Sequence, residues 1–149
     1  MKVVIGSDHG GYELKKIIID YLKAREIEVV NLGTDSSESV DYPDYAEKLA
    51  KEYLNGGYDF GIGICGTGIG ISIALNKFNG IRAALLSDAF SAKATKRHNN
   101  ANFICFGGRT IGPEVAKDII DAYMGASFEG DRHQRRLDKI EKIEEENRR

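Results

Sequence analysis

The residues best suited to chemistry lie in the run Cys65-Gly66-Thr67-Gly68-Ile69-Gly70. A thiol ends an apolar stretch there, and a glycine-rich turn leads from it into a predicted helix. Glycines let backbone N–H groups point into one small volume, and the start of a helix adds partial positive charge. Such a loop could cradle a phosphate or stabilise an oxyanion, and its field favours the thiolate that acts as a base or a nucleophile. The alternative is that Cys65 packs like a small hydrophobic residue, which is what we expect of Cys105 inside a later strand.

Three histidines are further candidates for proton transfer or for binding a metal. His9 follows Asp8 after the first predicted strand, His98 precedes a turn signal, and His133 lies among arginines. None lies in an apolar stripe, so none is expected in the core. A histidine titrates near neutral pH and is a natural proton shuttle. No two histidines have the close spacing of metal ligands, so we expect no metal site, although a zinc site that includes Cys65 is a weaker alternative.

Arg132 and Arg136 lie four positions apart, so a helix would place them on one face. Two guanidinium groups side by side suit a phosphate. The competing interpretation is a solvated helix whose arginines pair with its own acidic residues. The local sequence by itself favours this second interpretation.

A Gly-x-Gly-x-x-Gly pattern at Gly61, Gly63 and Gly66 imitates a dinucleotide-binding motif. That motif needs its glycines at the turn after a strand. Here the first two glycines alternate with isoleucines inside the predicted strand, where they would allow a helix to pack closely. The chain also lacks the Gly-x-x-x-x-Gly-Lys-Ser/Thr motif of phosphate-binding loops. The glycines therefore give no support to a dinucleotide site.

The elements that must position these residues alternate between strands and helices. Short apolar runs predict strands at 3–5, 27–32, 60–65, 81–86 and 102–106. Helical periodicity, including Ile17 and Val115 on the apolar faces, predicts helices over 14–22, 43–54, 70–77, 88–97, 115–123 and 131–149.

This alternation predicts an α/β fold, namely a three-layer αβα sandwich built on a Rossmann-like, five-stranded parallel sheet in a single domain, 1–149. In doubly wound sheets the ligand site lies outside the carboxyl ends of the strands. We therefore expect Asp8, His9, the 66–70 loop, Asp88 and Arg109 to gather at that edge.

Composition excludes several classes of protein. The chain has 149 residues, and its 21 Lys and Arg against 23 Asp and Glu give a net charge of −2. This balance provides no basic surface for nucleic acid, and no apolar run approaches the roughly 20 residues of a membrane span. The first residues do not have the pattern of a signal peptide, and two cysteines are too few for a disulfide scaffold. We expect a reduced, cytoplasmic protein that binds neither nucleic acid nor membrane.

The last predicted helix, 131–149, is highly charged and has few apolar residues, mainly Leu137, Ile140 and Ile143. So few contacts cannot hold a helix firmly on its own domain. We expect it to pack on a partner subunit, and the alternative is a frayed tail beyond residue 143.

Six motifs that occur together and in order make the chain recognisable. They are Ser7-Asp8-His9-Gly10-Gly11, Ser39-Val40-Asp41-Tyr42-Pro43, Cys65-Gly66-Thr67-Gly68-Ile69-Gly70, Arg97-His98-Asn99-Asn100-Ala101-Asn102, Gly107-Gly108-Arg109 and Gly130-Asp131-Arg132-His133-Gln134-Arg135-Arg136. In this combination the chain resembles the type B ribose-5-phosphate isomerases, a family shared with galactose-6-phosphate isomerase subunits. The resemblance covers nearly the whole chain.

The resemblance implies an enzyme of the pentose phosphate pathway that interconverts ribose 5-phosphate and ribulose 5-phosphate through a cis-enediolate. It also implies that no metal or organic cofactor is needed. The implied assembly is a homodimer or a tetramer, with each site built from two subunits. The implied strand order is 2-1-3-5-4.

Catalytic roles are likewise implied by the resemblance. Cys65 would be the base that moves the proton between C1 and C2, and His98 would help to open the furanose ring, assisted by Thr67 and Asp8. The enediolate oxygens would be held by backbone N–H groups of Gly66, Gly68, Ile69 and Gly70. Some family members use a glutamate at or close to the position of Ile71 instead, and this chain has no acid there.

Substrate binding is implied for a second set of residues. Asn99 would contact the sugar oxygens, while the phosphate would be bound by His9, Arg132 and Arg136, with Arg109 nearby. With the phosphate role assigned, the phosphate interpretation of the arginine pair becomes the favoured one. Three residues would come from the neighbouring subunit, namely His98, Asn99 and Arg109.

Two other functions remain open on sequence grounds. The same chemistry could act on a 6-phosphohexose, such as allose or galactose 6-phosphate, because ring size depends on the volume of the pocket. The chain could also be a non-catalytic sugar-phosphate or nucleotide-binding module. Such a module would not need Cys65 or His98.

Overall fold

Five parallel strands form one sheet with helices on both faces in the computed structural model, which describes residues 1–148. The strands are β1 Lys2–Ser7, β2 Glu28–Asn31, β3 Phe60–Cys65, β4 Ala83–Leu85 and β5 Phe103–Gly107. The helices are α1 Tyr12–Ala24, α2 Tyr42–Leu54, α3 Ile69–Leu75, α4 Ala89–Ala94, α5 Pro113–Met124 and α6 Arg132–Glu146. The strand order is β2-β1-β3-β5-β4, and this confirms both the α/β fold and the order implied by the resemblance.

The three central strands are buried on both faces. Every residue of β3 and β5 is buried, because one hydrophobic cluster lies under α1 and α5 and another under α2 and α3. A Cβ atom on Gly61 would lie 2.2 Å from the ring of Phe103, and one on Gly63 would lie 3.2 Å from Leu75 of α3. Gly63 therefore allows the predicted close packing of a helix, whereas Gly61 makes room for an aromatic ring of β5. Cys105 is completely buried in this core, which confirms its expected role.

Helices α1 to α5 match the predicted periodicity with three exceptions, one of which is Leu54 of α2, predicted on a buried face and 49% exposed. Ile17 and Val115, which were predicted on buried faces, are each 40% exposed. The buried stripe of α1 runs instead through Leu14, Ile18 and Leu22, four residues apart. Ile17 lies beside that stripe on the solvent side.

The helix predicted at 88–97 is shorter and ends differently. Asp88 caps α4, and its carboxylate accepts a hydrogen bond from the Ser91 N–H at 2.7 Å. The chain then continues as a π-helical turn, Thr95–Asn99, before it enters β5. This turn carries His98 and Asn99.

Helix α6 continues to Glu146, past the residue 143 at which fraying was the alternative, and Arg149 lies outside the described residues. Ile140 and Ile143 are 50% and 61% exposed, so their own chain covers each of them only in part. Packing of α6 on a partner stays a prediction. Within residues 1–148, no helix combines the length and the apolar character that crossing a membrane requires.

Candidate active site

Three loops meet at the carboxyl edge of the sheet, after β1, β3 and β5. The Gly108 N–H donates to the Cys65 carbonyl at 2.9 Å, and the Arg109 N–H donates to the Gly66 carbonyl at 3.0 Å. A Cβ atom on Gly10 would lie 2.9 Å from the Gly66 nitrogen, and one on Gly108 would lie 2.4 Å from the Gly10 oxygen. The loops can approach this closely only because glycine occupies these positions.

Cys65 ends β3 at the floor of this edge and is 4% exposed. The Gly68 N–H donates to its sulfur at 3.1 Å. Gly68 has a φ of +80°, and a Cβ atom there would lie 2.7 Å from the Phe106 backbone. The left-handed turn at Gly68 thus aims a backbone donor at the sulfur, where it would stabilise a thiolate. This arrangement suits Cys65 to act as a base.

Asp8 and His9 stand beside this loop, and each makes a defined local bond. The Asp8 carboxylate accepts from the Gly10 N–H at 2.8 Å, and the side chain is buried. The His9 Nδ1 accepts from the Val40 N–H at 3.1 Å. A neutral imidazole that accepts at Nδ1 carries its proton on Nε2. His9 can therefore donate Nε2–H to an anion.

A buried lysine anchors the loop that supplies Val40. The Lys15 ammonium donates to Asn31 at 2.7 Å and to Asp35 at 3.1 Å, and its side chain is fully buried. Burial lowers the pKa of Lys15, although its bond to Asp35 acts in the opposite direction. This anchor holds the start of the 33–41 segment, which was predicted as a polar loop.

Thr67 and Arg109 complete the predicted residues at this edge. The Thr67 hydroxyl accepts from the Ile69 N–H at 3.2 Å. The Arg109 guanidinium lies beside Gly66, with its Nη1 3.3 Å from where a Cβ atom would be. Arg109 therefore stands next to the Cys65 loop of its own chain, and not apart from it as a residue supplied by the neighbouring subunit would be. The expectation for this residue is corrected.

Tyr42 also reaches this edge, although no role was predicted for it. Its ring lies over Gly70, where a Cβ atom would come within 2.6 Å of Cζ. Tyr42 begins α2 and is 40% exposed. Its place beside a motif proline was visible in the sequence, but an aromatic residue at the start of a helix is too common to indicate a site.

His98 and Asn99 lie at the opposite, amino edge of the sheet. They precede β5, and Arg82, which precedes β4, donates to the Asn99 carbonyl at 3.2 Å. In a parallel sheet, residues that precede a strand lie at the other edge from Cys65, which ends one. One chain therefore does not bring His98 to Cys65.

Arg132 and Arg136 lie at the same edge of the sheet as His98, because α6 begins beside the π-helical turn. The rings of His98 and His133 stack with their centroids 4.3 Å apart, and the Glu129 N–H donates to the Arg97 carbonyl at 3.1 Å. The predicted phosphate ligands are thus divided within one chain. His9 lies at the carboxyl edge, and the two arginines lie with the amino-edge group.

Two expectations about the histidines are wrong, one about burial and one about their spacing. His133 is only 4% exposed, although none of the histidines was expected in the core. Burial lowers its pKa, and the nearby charge of Arg132 lowers it further. His98 and His133 also form a close pair that their separation in sequence did not reveal. Together with Glu129 they bring three potential metal-ligand atoms within 4.8 Å of one another.

An apolar surface adjoins the carboxyl edge. Ile69 and Ile73 of α3 are 49% and 57% exposed, and Phe90 of α4 is 83% exposed. A groove between β4 and α4 is lined by Leu85, Phe90 and Asn99, among others. Exposed apolar side chains of this size beside the carboxyl edge favour an interaction surface here.

Comparison with known proteins gives consistent results. Residues 3–140 match the family model described as Ribose/Galactose Isomerase. The chain is 49% identical to ribose-5-phosphate isomerase B of Escherichia coli K12 over 97% of both chains. It is 44% identical to ribose-5-P isomerase B of Listeria innocua over 99% of this chain and 100% of that protein.

Solved structures of similar proteins agree with the fold. Ribose-5-phosphate isomerase B of Clostridium thermocellum is similar with a TM-score of 0.97 and 49% identity, over 99% of this chain and all of that one. The Mycoplasma genitalium protein, determined with bound ribulose 5-phosphate, has a TM-score of 0.93 and 42% identity, over 98% and 97% of the two chains.

Proposed function

This chain belongs to the ribose/galactose isomerase family, and we propose that it interconverts ribose 5-phosphate and ribulose 5-phosphate. The observation that carries the proposal is Cys65 at the floor of a glycine loop, with the Gly68 N–H 3.1 Å from its sulfur. A phosphate-binding module would need the loop but not the thiol. The named relatives act on this pair of sugars or were determined with one of them bound.

The reaction is a proton transfer between two neighbouring carbons. The Cys65 thiolate removes the proton on C2 of open-chain ribose 5-phosphate, and the electron pair moves onto the C1 oxygen to give a cis-enediolate. The same proton, or one exchanged from solvent, is then returned to C1, and the hydroxyl proton of the C2 oxygen passes to the C1 oxygen as the C2 oxygen becomes a carbonyl. Atoms and electrons balance, so no oxidant or reductant is required.

The glycine loop stabilises the intermediate. Negative charge develops on an oxygen beside Cys65, and backbone N–H groups of Gly66, Gly68, Ile69 and Gly70 are the donors nearest to it in sequence. Fixed donors stabilise such charge without reorganising, and losing one can cost roughly 10²- to 10³-fold in rate. The left-handed turn at Gly68 supports this role, because it orients part of the loop toward the sulfur.

The phosphate is not changed by the reaction, and its binding energy positions C1 and C2 against Cys65. His9 would donate from Nε2, since its Nδ1 accepts from Val40. Arg109 would contribute from the same chain. Arg132 and Arg136 would contribute from the amino-edge group of a neighbouring chain.

The separation of these groups supports a homodimer with shared sites. Strand β3 has six residues, which span roughly 17–20 Å at about 3.3 Å per residue, so His98 cannot reach Cys65 of its own chain. A second copy would bring its His98 and Asn99 to the carboxyl edge, and the apolar surface of Ile69, Ile73 and Phe90 would be covered. Pairing of dimers into a tetramer, with α6 packed on a partner, is compatible with this arrangement.

The enzyme is placed in the cytoplasm as part of the same proposal. Its two cysteines are free, and a catalytic thiol requires a reducing compartment. No step of the proposed mechanism uses a metal or an organic cofactor.

A direct assay tests the function. Purified protein is given ribose 5-phosphate, and the formation of ketose is followed by absorbance and by NMR. Turnover is the expected result, and binding without turnover would establish the non-catalytic alternative instead. Parallel assays with allose 6-phosphate and galactose 6-phosphate test the 6-phosphohexose alternative, because faster turnover of a hexose would reassign the substrate.

A further inference from the structure

Glu129 lies between α5 and α6 at the amino edge, and the mechanism described so far gives it no role. Its Oε2 accepts a 2.5 Å hydrogen bond from Arg97 Nε, and Arg97 Nη2 also contacts this oxygen. The bond with Arg97 lowers the pKa of Glu129. The side chain is therefore an ionised carboxylate that is held in place from one side.

The other carboxylate oxygen faces two imidazoles. Oε1 of Glu129 lies 3.4 Å from His133 Nε2 and 3.9 Å from His98 Nε2. Within residues 1–148, His133 Nε2 is buried and has no hydrogen-bond partner. The His98 ring stacks on His133 with 15° between their planes. His98 thus has a stacked ring on its face and a carboxylate facing its Nε2 at 3.9 Å, a distance of charge attraction and not of a hydrogen bond.

The same three side chains could suggest a metal site, but their geometry does not favour one. Imidazole lone pairs lie in the plane of the ring, so the lone pairs of two stacked rings run side by side and do not converge. The carboxylate of Glu129 is already bound by Arg97. The arrangement fits an oriented histidine better than a set of metal ligands.

We propose that Glu129 is a positioning residue for His98. It orients the imidazole so that Nε2 faces the carboxylate, leaving Nδ1 as the atom that meets the substrate in the neighbouring subunit. The carboxylate charge 3.9 Å from Nε2 attracts the N–H of that nitrogen and so favours the tautomer that is protonated there, the role an acid plays toward histidine in hydrolases. This inference rests on the proposed function, because it assigns His98 to opening of the sugar ring.

Ring opening needs one proton to move. The hydroxyl on C1 loses a proton, the bond between C1 and the ring oxygen breaks, and the ring oxygen gains a proton as the C1 carbonyl forms. An imidazole that accepts and returns a proton at Nδ1 can serve this exchange without net consumption of acid. Cys65 takes no part in this step.

The two substrates allow this step to be isolated. Ribose 5-phosphate is mainly a closed furanose, whereas ribulose 5-phosphate cannot close a furanose because its C5 oxygen carries the phosphate. Exchange of the C1 proton of ribulose 5-phosphate with solvent deuterium needs Cys65 and the enediolate, but it does not need ring opening. Glu129→Gln is expected to lower kcat for ribose 5-phosphate by about 10²-fold, while deuterium exchange into ribulose 5-phosphate stays at the wild-type rate.

Matched variants test whether the effect comes only from a lost surface charge or from lost stability. Glu114→Gln removes the same charge from an exposed α5 carboxylate paired with Lys117, and it should change neither rate. His98→Asn should show the same split as Glu129→Gln, and combining the two changes should cost no more than His98→Asn alone. If Glu129→Gln melts far below the wild type, Glu129→Asp, which keeps the charge at shorter reach, should show the split with smaller amplitude.

Three results would overturn the inference. Equal loss of isomerisation and exchange would show that Glu129 only maintains the fold or the phosphate site. Unchanged isomerisation would show that it does not act on His98, and additive losses in the double variant would show that the two residues act separately. A wild-type protein that neither isomerises nor exchanges would instead refute the proposed function, so the two failures are distinguishable.

Discussion

Cys65 and Cys105 belong to the same hydrophobic cluster, but their surroundings give them different chemistry. Cys65 ends its strand and receives the Gly68 N–H. Cys105 lies inside β5, and complete burial raises the pKa of its thiol far above the physiological range. Burial therefore keeps Cys105 a thiol, and this residue is an internal control for Cys65.

Replacing Cys65 by alanine should therefore abolish most of the activity, whereas replacing Cys105 by alanine should leave it unchanged. Cys65→Ala should lower isomerisation by about 10³-fold or more, because the base is lost, while ribose 5-phosphate still binds. Cys105→Ala should keep the activity and lose only some stability. Steady-state kinetics measure the isomerisation rate, and calorimetry measures ribose 5-phosphate binding. An active Cys65→Ala variant would exclude the mechanism.

The glycine loop could be predicted because Cys65 and the glycines that follow it are adjacent in the sequence. The burial of His133 could not, since the groups that enclose it come from the π-helical turn and from Glu129. Among its neighbours in sequence are several arginines, and these suggest an exposed site. Burial that arises from tertiary contacts leaves no local pattern.

His133 should make stability depend on pH with a definite sign. Burial and the charges of Arg132 and His98 lower its pKa, and Glu129 acts in the opposite direction with less effect. The unfolded chain therefore takes up a proton first as the pH falls. The free energy of unfolding should decrease as the pH drops below about 6.5 and should be regained above it.

His133→Gln should remove this part of the dependence. Urea unfolding of both proteins at about pH 7.5 and about pH 5.5 measures it, because only histidines titrate strongly in that interval. We expect a smaller loss of stability in the variant. An identical loss in both proteins would contradict the role assigned to His133.

At the scale of elements, apolar runs and helical periods predicted all five strands, and the structure confirms their order. The π-helical turn at Thr95–Asn99 was not predicted, because its hydrogen bonds differ from those of an α-helix without any distinct side-chain pattern. The turn matters for the proposed function, since it carries His98 and Asn99.

Asp88 caps α4, the helix that leads into the π-helical turn. Asp88 accepts from the Ser91 N–H and hydroxyl at 2.7 and 3.0 Å. Asp88→Ala should lower the free energy of unfolding by about 1 kcal/mol. Asp20→Ala, at an exposed position of α1, is the control and should change it by less. Urea titration measures both, and equal effects would show that the cap contributes nothing specific.

At the scale of the whole molecule, the candidate residues form two groups at opposite edges of one sheet. Strand direction alone implies this, because Cys65 ends a strand whereas His98 precedes one. The surface that would join two copies could not be predicted, since Ile69, Ile73 and Phe90 lie in separate elements and show no shared periodicity. The proposed active site would form only in an assembly of two chains.

The most direct test of the shared site is complementation between two inactive variants. Cys65→Ala retains the amino-edge group and His98→Asn retains the carboxyl-edge group, so a hybrid dimer has one intact site and one doubly defective site. After equal amounts are unfolded together and refolded, half of the dimers should be hybrids and ribose 5-phosphate isomerisation should recover to about a quarter of the wild-type rate. A mixture as inactive as the separate variants would contradict a site built from two chains.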